Sequence, residues 1–181
     1  MFYELEIEDH IRVPPSKFSE STKDAILKAL KEKFEGYVSE KLGFLIGISK
    51  IEKVGEGVIL AGDGAAHYET TFKVLTFKPE LQEVIVGKIS DITDFGSFIE
   101  LGPIDGMIHI GQTMDDYVSF SNNVLQGKES KKVLKVNDLC RARIIAVSYK
   151  DPTNPKIGLT MRQNMMGNFK WVEDQIKKKK K

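Results

Sequence analysis

The chain has 181 residues, 41% of them hydrophobic and 29% charged, a balance that excludes wholesale disorder and fits two small domains. Its net charge of +1 gives no global field to attract a polyanion, so any nucleic-acid binding must come from a local face. The single cysteine, Cys140, excludes an internal disulfide and a multi-cysteine zinc site, and its apolar-alternating surroundings read as core. No apolar run approaches the ~20 residues of a membrane span. The acidic opening MFYELEIEDH lacks a basic-then-apolar signal pattern, so a cytoplasmic protein with no membrane partner is expected.

Residues 2–8 alternate between Tyr3, Leu5 and Ile7 on one side and Phe2, Glu4, Glu6 and Glu8 on the other, which predicts a strand. Pro14-Pro15 interrupts the chain. Ser21 followed by Asp24 opens a helix, Ile26, Leu27, Leu30 and Phe34 supply its apolar face, and Gly36 closes it. Strands follow at 44–51, 58–61 and 70–77, with Gly55-Glu56-Gly57 and Gly62-Asp63-Gly64 as turns, because glycine adopts the positive φ that turns require. Residues 1–80 therefore read as a small α+β domain with an antiparallel sheet and a helix, ending near Lys78-Pro79-Glu80.

Residues 81–163 are nearly all strand and turn. Strands at 84–92, 96–101, 107–110, 139–148 and 156–161 predict a five-stranded all-β barrel of the OB type. A polar stretch at 114–132 reads as a long loop inserted between the third and fourth strands. Residues 164–181 form a C-terminal extension with Trp171 as its anchor and a solvated run, Lys177 to Lys181.

The chemistry concentrates in Gly87-Lys88-Ile89-Ser90-Asp91-Ile92-Thr93-Asp94-Phe95-Gly96-Ser97-Phe98 and in Gly106-Met107-Ile108-His109. Gly96 allows a tight bend beside Phe95, and Phe98 follows two residues on, facing the same way. If Phe95, Phe98 and His109 face outward they form a stacking platform, worth about 1–3 kcal/mol per base whatever its sequence. Lys88, Arg141, Arg143 and Lys156 would attract the phosphates. Taken singly, each aromatic reads more readily as core and the histidine as an ordinary surface or core residue; the joint pattern carries the signal. No H-E-x-x-H, G-x-S-x-G or G-x-x-x-x-G-K-[ST] occurs, and adjacent carboxylates such as Asp115-Asp116 point apart on a strand. No catalytic residue, metal or cofactor is expected.

The pattern G-x-I-x-x-I-x-D-F-G-x-F, then G-x-I-H, then I-x-L-T-x-R, resembles the S1 domain over residues 84–162. The resemblance implies that Phe95, Phe98 and His109 contact RNA. An acidic position of that family is Ser148 here, its following basic position is Lys156 after a turn lengthened by 151–155, and its serine after the histidine is Gly111. Val13-Pro14-Pro15, the two glycine segments, Met114-Asp115-Asp116-Tyr117-Val118, Leu159-Thr160-Met161-Arg162 and Trp171 extend the likeness to residues 1–172. Together they resemble the family of larger stalk subunits of archaeal DNA-directed RNA polymerase, related to the seventh subunit of eukaryotic RNA polymerase II.

That likeness implies a truncated RNP-like first domain whose glycine-rich tip, Gly55, Gly57, Gly62, Asp63 and Gly64, docks on the polymerase core near the clamp. It also implies a heterodimer with the smaller stalk subunit and nascent single-stranded RNA passing over the barrel. Nucleotidyl transfer would belong to other subunits of the complex. The alternative from a different class is a free-standing S1 protein of translation or RNA decay.

Overall fold

The computed structural model describes residues 1–151 and 155–179, the side chains of Lys178 and Lys179 excepted. The central part of the turn expected at 151–155 and most of the terminal lysine run lie outside the described residues. The chain divides into two compact units, Met1–Lys78 and Pro79–Lys181.

In the first unit, strands β1 (Phe2–Val13), β2 (Val38–Ser39), β3 (Gly43–Ile59) and β4 (Ala66–Phe77) form an antiparallel sheet in the order β1-β4-β3-β2. Helix α1 (Thr22–Phe34) begins at Ser21, whose hydroxyl accepts the Asp24 amide at 3.2 Å, satisfying one of the amides that a helix start leaves unpaired. It ends just before Gly36, which has φ +76°. Its stripe of Ala25, Ile26, Ala29 and Leu30 seals against Ile11, Val13, Leu45, Phe72 and Val74. The Glu-rich face of β1 points away from this core, as the period-two alternation requires.

Two expected boundaries are corrected. Strand β1 runs on to Val13, five residues past the predicted end. The predicted strands at 44–51 and 58–61 are one strand, β3, so Gly55-Glu56-Gly57 is no turn. Register shifts at Leu45/Gly47, Ile48/Lys50, Ile51/Lys53 and Val54/Gly57 let the 17 residues of β3 pair along the 12 of β4. Each shift adds a residue to β3, so its core-facing side chains, Leu45, Ile48, Ile51 and Val54, recur every third position. Gly57 sits in the last of these bulges because Tyr68 fills the space beside it: an added Cβ would lie 2.7 Å from the Tyr68 ring.

The second unit is a closed barrel. Strands β5 (Val84–Thr93), β6 (Gly96–Glu100) and β7 (Asp105–His109) form an antiparallel meander. Next in sequence, helix α2 (Ile110–Thr113) is a single turn, and β8 (Val118–Ser121), β9 (Val124–Gly127) and β10 (Val133–Lys135) form a separate three-stranded sheet. Strand β11 (Leu139–Ser148) pairs with β5 and with β12 (Lys156–Thr160), and β12 pairs in parallel with β7, which closes the ring. Ile89, Ile92, Ile99, Ile108, Ala142, Ile144, Ile157 and Leu159 fill it, and Cys140 is buried.

The polar stretch at 114–132 is thus a small sheet and not a loop. Asn122 and Asn123, at φ +49° and +56°, make its tight β8–β9 turn. The C-terminal stretch supplies β13 (Gly167–Asn168), which pairs with β11, and helix α3 (Phe169–Lys179). Trp171 is buried there.

Candidate nucleic-acid interface

On β6 the side chains of Ser97 and Ile99 point into the barrel, which turns Phe98 outward. Phe98 pairs directly with Met107 on β7, and Gly96 with His109. Phe98 and His109 therefore share one face as diagonal neighbours, about 7–8 Å apart by the geometry of such pairs. Between them Gly96 offers no side chain. A Cβ at that position would collide with the Ile108 carbonyl oxygen and lie 3.0 Å from His109 Cα. Phe95, in the β5–β6 turn, is 48% exposed and meets Phe98 edge to face, with ring centroids 6.1 Å apart at 88°. That T-shaped contact holds each ring in place while leaving faces open.

His109 caps α2. Its Nδ1 accepts the Gly111 amide at 3.2 Å, so the neutral ring carries its proton on Nε2, as a donor to whatever lies outside. A cleft of about 540 Å³ runs along this wall, lined by Phe95, Phe98, Ile104, Asp105, Met107 and Lys156 among others. Its walls are apolar and aromatic, with one ammonium group, from Lys156, and one carboxylate, from Asp105. Ser90 Oγ donates to that carboxylate at 2.7 Å. Sequence reasoning missed Met107, although it stands two residues before His109 and alternation alone assigns it to the same face.

The other predicted cations are elsewhere. Lys88 points outward on β5 opposite Leu139 of β11. Arg141 stacks on the Phe169 ring at 5.3 Å, and Arg143 donates from Nη1 to the Gln82 carbonyl at 3.2 Å. These three belong to the β5–β11 wall and do not line the ring cleft. The acid opposite Phe98 on β5 is Asp91. The ring wall is therefore poor in positive charge.

The predicted tip residues of the first unit also separate. Gly55 and Gly57 lie within β3, whereas Gly62, Asp63 and Gly64 lie in the β3–β4 connection. An added Cβ at Gly62 (φ +89°) meets nothing within 4 Å, so the backbone there is bare. Asp63 is occupied inside the unit. Arg12 donates from Nε and Nη2 to its two carboxylate oxygens at 2.9 and 2.8 Å, the His67 ring lies 3.0 Å away, and the Ala65 amide donates at 3.2 Å. Arg12 first and His67 second hold that carboxyl well below the usual range. Asp63 thus ties β1 to the connection. What the tip exposes is aliphatic: Val58, Ile59 and Leu60 are 56%, 65% and 52% accessible.

Asp115 and Asp116 do not form a pair. Asp115 bridges to Arg162, with Nη2 at 2.7 Å. Asp116 accepts from the Glu129 amide and from both the amide and hydroxyl of Ser130, which lowers its pKa to about 2. Among the described residues no three or more His, Cys, Asp or Glu side chains are grouped to hold a metal ion. No described helix is long and apolar enough to cross a membrane.

The model of the "SHS2 domain found in N terminus of Rpb7p/Rpc25p/MJ0397" matches residues 8–64, and the S1 RNA-binding domain model matches 78–152. Fold and matches together define a two-domain SHS2–S1 protein. DNA-directed RNA polymerase subunit Rpo7 of Sulfolobus acidocaldarius is 34% identical over 183 residues, covering 100% of both chains. Rpo7 of Saccharolobus solfataricus is 34% identical over 90% of this chain and 92% of its own. RNA polymerase III subunit RPC8 of Saccharomyces cerevisiae is 32% identical over 86% of this chain and 77% of its own. The chain belongs to the family of archaeal RNA polymerase subunit Rpo7 and its eukaryotic counterparts.

Proposed function

We propose that this chain, a non-catalytic stalk subunit of DNA-directed RNA polymerase, receives nascent single-stranded RNA on the ring wall of its barrel. The observation that carries this reading is the outward Phe95–Phe98 pair beside His109, over an apolar cleft. Each base stacked there contributes about 1–3 kcal/mol without reading its identity, which suits a transcript of any sequence. Lys156 supplies one phosphate contact, and His109 Nε2 one donor.

Docking on the polymerase core, near the clamp, uses the hairpin tip. Bare backbone at Gly62 lets a partner chain approach closely, and covering Val58, Ile59 and Leu60 is worth about 1.5–3 kcal/mol each. The outer sheet face of the first unit, with Phe2 and Leu75 exposed, takes a smaller stalk subunit as a heterodimer partner. The complex works in the cytoplasm.

Two measurements test this. Native mass spectrometry of the endogenous complex should find the chain with polymerase core subunits and one small partner; finding it alone or with ribosomes or nucleases would return the free-standing S1 reading. Filter binding with a short oligoribonucleotide should show Phe98→Ala and His109→Ala weakening RNA several-fold while the chain stays folded. Unchanged affinity in both would remove the ring wall from the account.

A further inference from the structure

The ring wall leaves a gap in the electrostatics of RNA binding, since Lys156 shares its cleft with Asp105 and Asp91 lies opposite Phe98. A second cleft in the same unit has the opposite character. It measures about 440 Å³ and is lined by Lys131, Lys132, Lys135 and Lys170 around Trp171. The lysines come from three places: the β9–β10 connection, β10 itself and the first turn of α3. Among the described residues none of the four ammonium groups has a carboxylate within 4.0 Å. Asp138 and Asp174 also line the cleft. The first already accepts the Lys135 amide at 2.8 Å, and the four cations outnumber the two acids.

The site is held before any ligand arrives. Asp116 grips Ser130 through its amide at 2.8 Å and its hydroxyl at 2.7 Å, fixing the start of the segment that carries Lys131 and Lys132. Lys132 Nζ rests 5.5 Å from the centre of the Trp171 ring. Asn168, buried at the start of α3, accepts the Lys170 amide at 2.9 Å. Trp171 is itself packed away, with Gly167 against its six-membered ring, so it forms a wall and offers no face for a base. Unpaired ammonium groups on a held backbone, without an exposed aromatic, recognise phosphate and ignore sequence.

We propose that this cleft binds the phosphodiester backbone of single-stranded RNA, as a contact separate from the ring wall. The proposal rests on the RNA-binding reading above and divides its labour: rings for bases, lysine cleft for phosphates. An acidic protein segment is the competing occupant, and the test separates the two.

The experiment measures binding of the full chain to an oligouridylate across a salt series, by fluorescence anisotropy. Each phosphate neutralised on a single strand contributes about 0.7 to the slope of log K against log salt. Changing Lys131, Lys132 and Lys135 to Gln together should flatten the slope by about 2. Should Lys132→Gln disturb Trp171, the double variant Lys131→Gln/Lys135→Gln keeps that contact and should flatten it by about 1.4. Phe98→Ala should instead lower affinity about tenfold at constant slope. If the lysine variants leave slope and affinity unchanged while Phe98→Ala weakens binding, the cleft proposal fails and the ring wall stands. If the lysine variants flatten the slope while Phe98→Ala does nothing, the ring reading fails and the cleft stands. Displacement of RNA by polyglutamate at equal charge concentration, lost in the lysine variants, would identify an acidic protein segment as the occupant and overturn the proposal.

Discussion

The two units each expose apolar side chains, but of different kinds. The β3–β4 hairpin of the first unit presents aliphatic groups, Val58, Ile59 and Leu60, on a tip whose nearby charge, Asp63, is consumed internally by Arg12 and His67. The barrel of the second presents flat rings, Phe95 and Phe98, held edge to face beside an imidazole donor. Aliphatic surface gains by being covered by any closely fitting protein. An open aromatic face gains by stacking, and every base has a matching face. On the proposed function, side-chain shape distinguishes the docking tip from the base-receiving wall where net charge does not.

The largest effect that would break this contrast is at the tip. Ile59→Asp with Leu60→Asp should lower affinity for the polymerase core by about a hundredfold or more, since two apolar burials become two buried charges. Co-purification reads the loss, and RNA affinity should not move. Next comes the ring wall. Phe98→Ala should cost about 1–3 kcal/mol of RNA binding with polymerase association intact, and Phe98→Tyr should recover most of it.

Gly57→Val tests the structural support of the tip. Its side chain would strike the Tyr68 ring, 2.7 Å from the Cβ position, and should destabilise the first unit by about 1–3 kcal/mol, seen as a lower melting temperature. Acid should loosen the same region. Asp63 has a depressed folded-state pKa, so its contribution is present above the ordinary carboxylate pKa and is lost as pH falls below that value. Lower protection of the Ala65 amide under acid, measured against its intrinsic exchange rate at the same pH and absent as a pH effect in Asp63→Asn, is the expected sign. The smallest effect is chemical: burial pushes the Cys140 thiol up to about 12, so alkylation at neutral pH should be negligible until the barrel unfolds.

The barrel was more legible than the first sheet, for a physical reason. Strands β5, β6 and β7 largely keep a two-residue period, so the facing of Phe98 could be read from its spacing to Gly96, while the likeness to the S1 domain set His109 beside it. Strand β3 does not. Its four bulges give the core-facing residues Leu45, Ile48, Ile51 and Val54 a three-residue period, which matches no single strand template, and its Gly55-Glu56-Gly57 looks like a turn because glycine marks turns and bulges alike. The small sheet at β8–β10 was hidden by its polar composition. Its strands have three or four residues each, and their lock is one carboxylate, Asp116, whose partners lie 13 and 14 residues away. Which wall the cations occupy was not legible for a related reason: Lys88, Arg141 and Arg143 are outward on their strands, but a closed barrel has walls in several directions, and alternation gives inside or outside without saying which wall.

The most direct test of the central claim is an NMR titration of the full chain with a short oligouridylate, following the side-chain protons of Phe95, Phe98 and His109. Bases stacking on the outer wall should shift all three sets of resonances together and saturably, with Met107 between them. If those resonances stay fixed at saturating RNA while signals elsewhere move, the rings are not where the transcript binds.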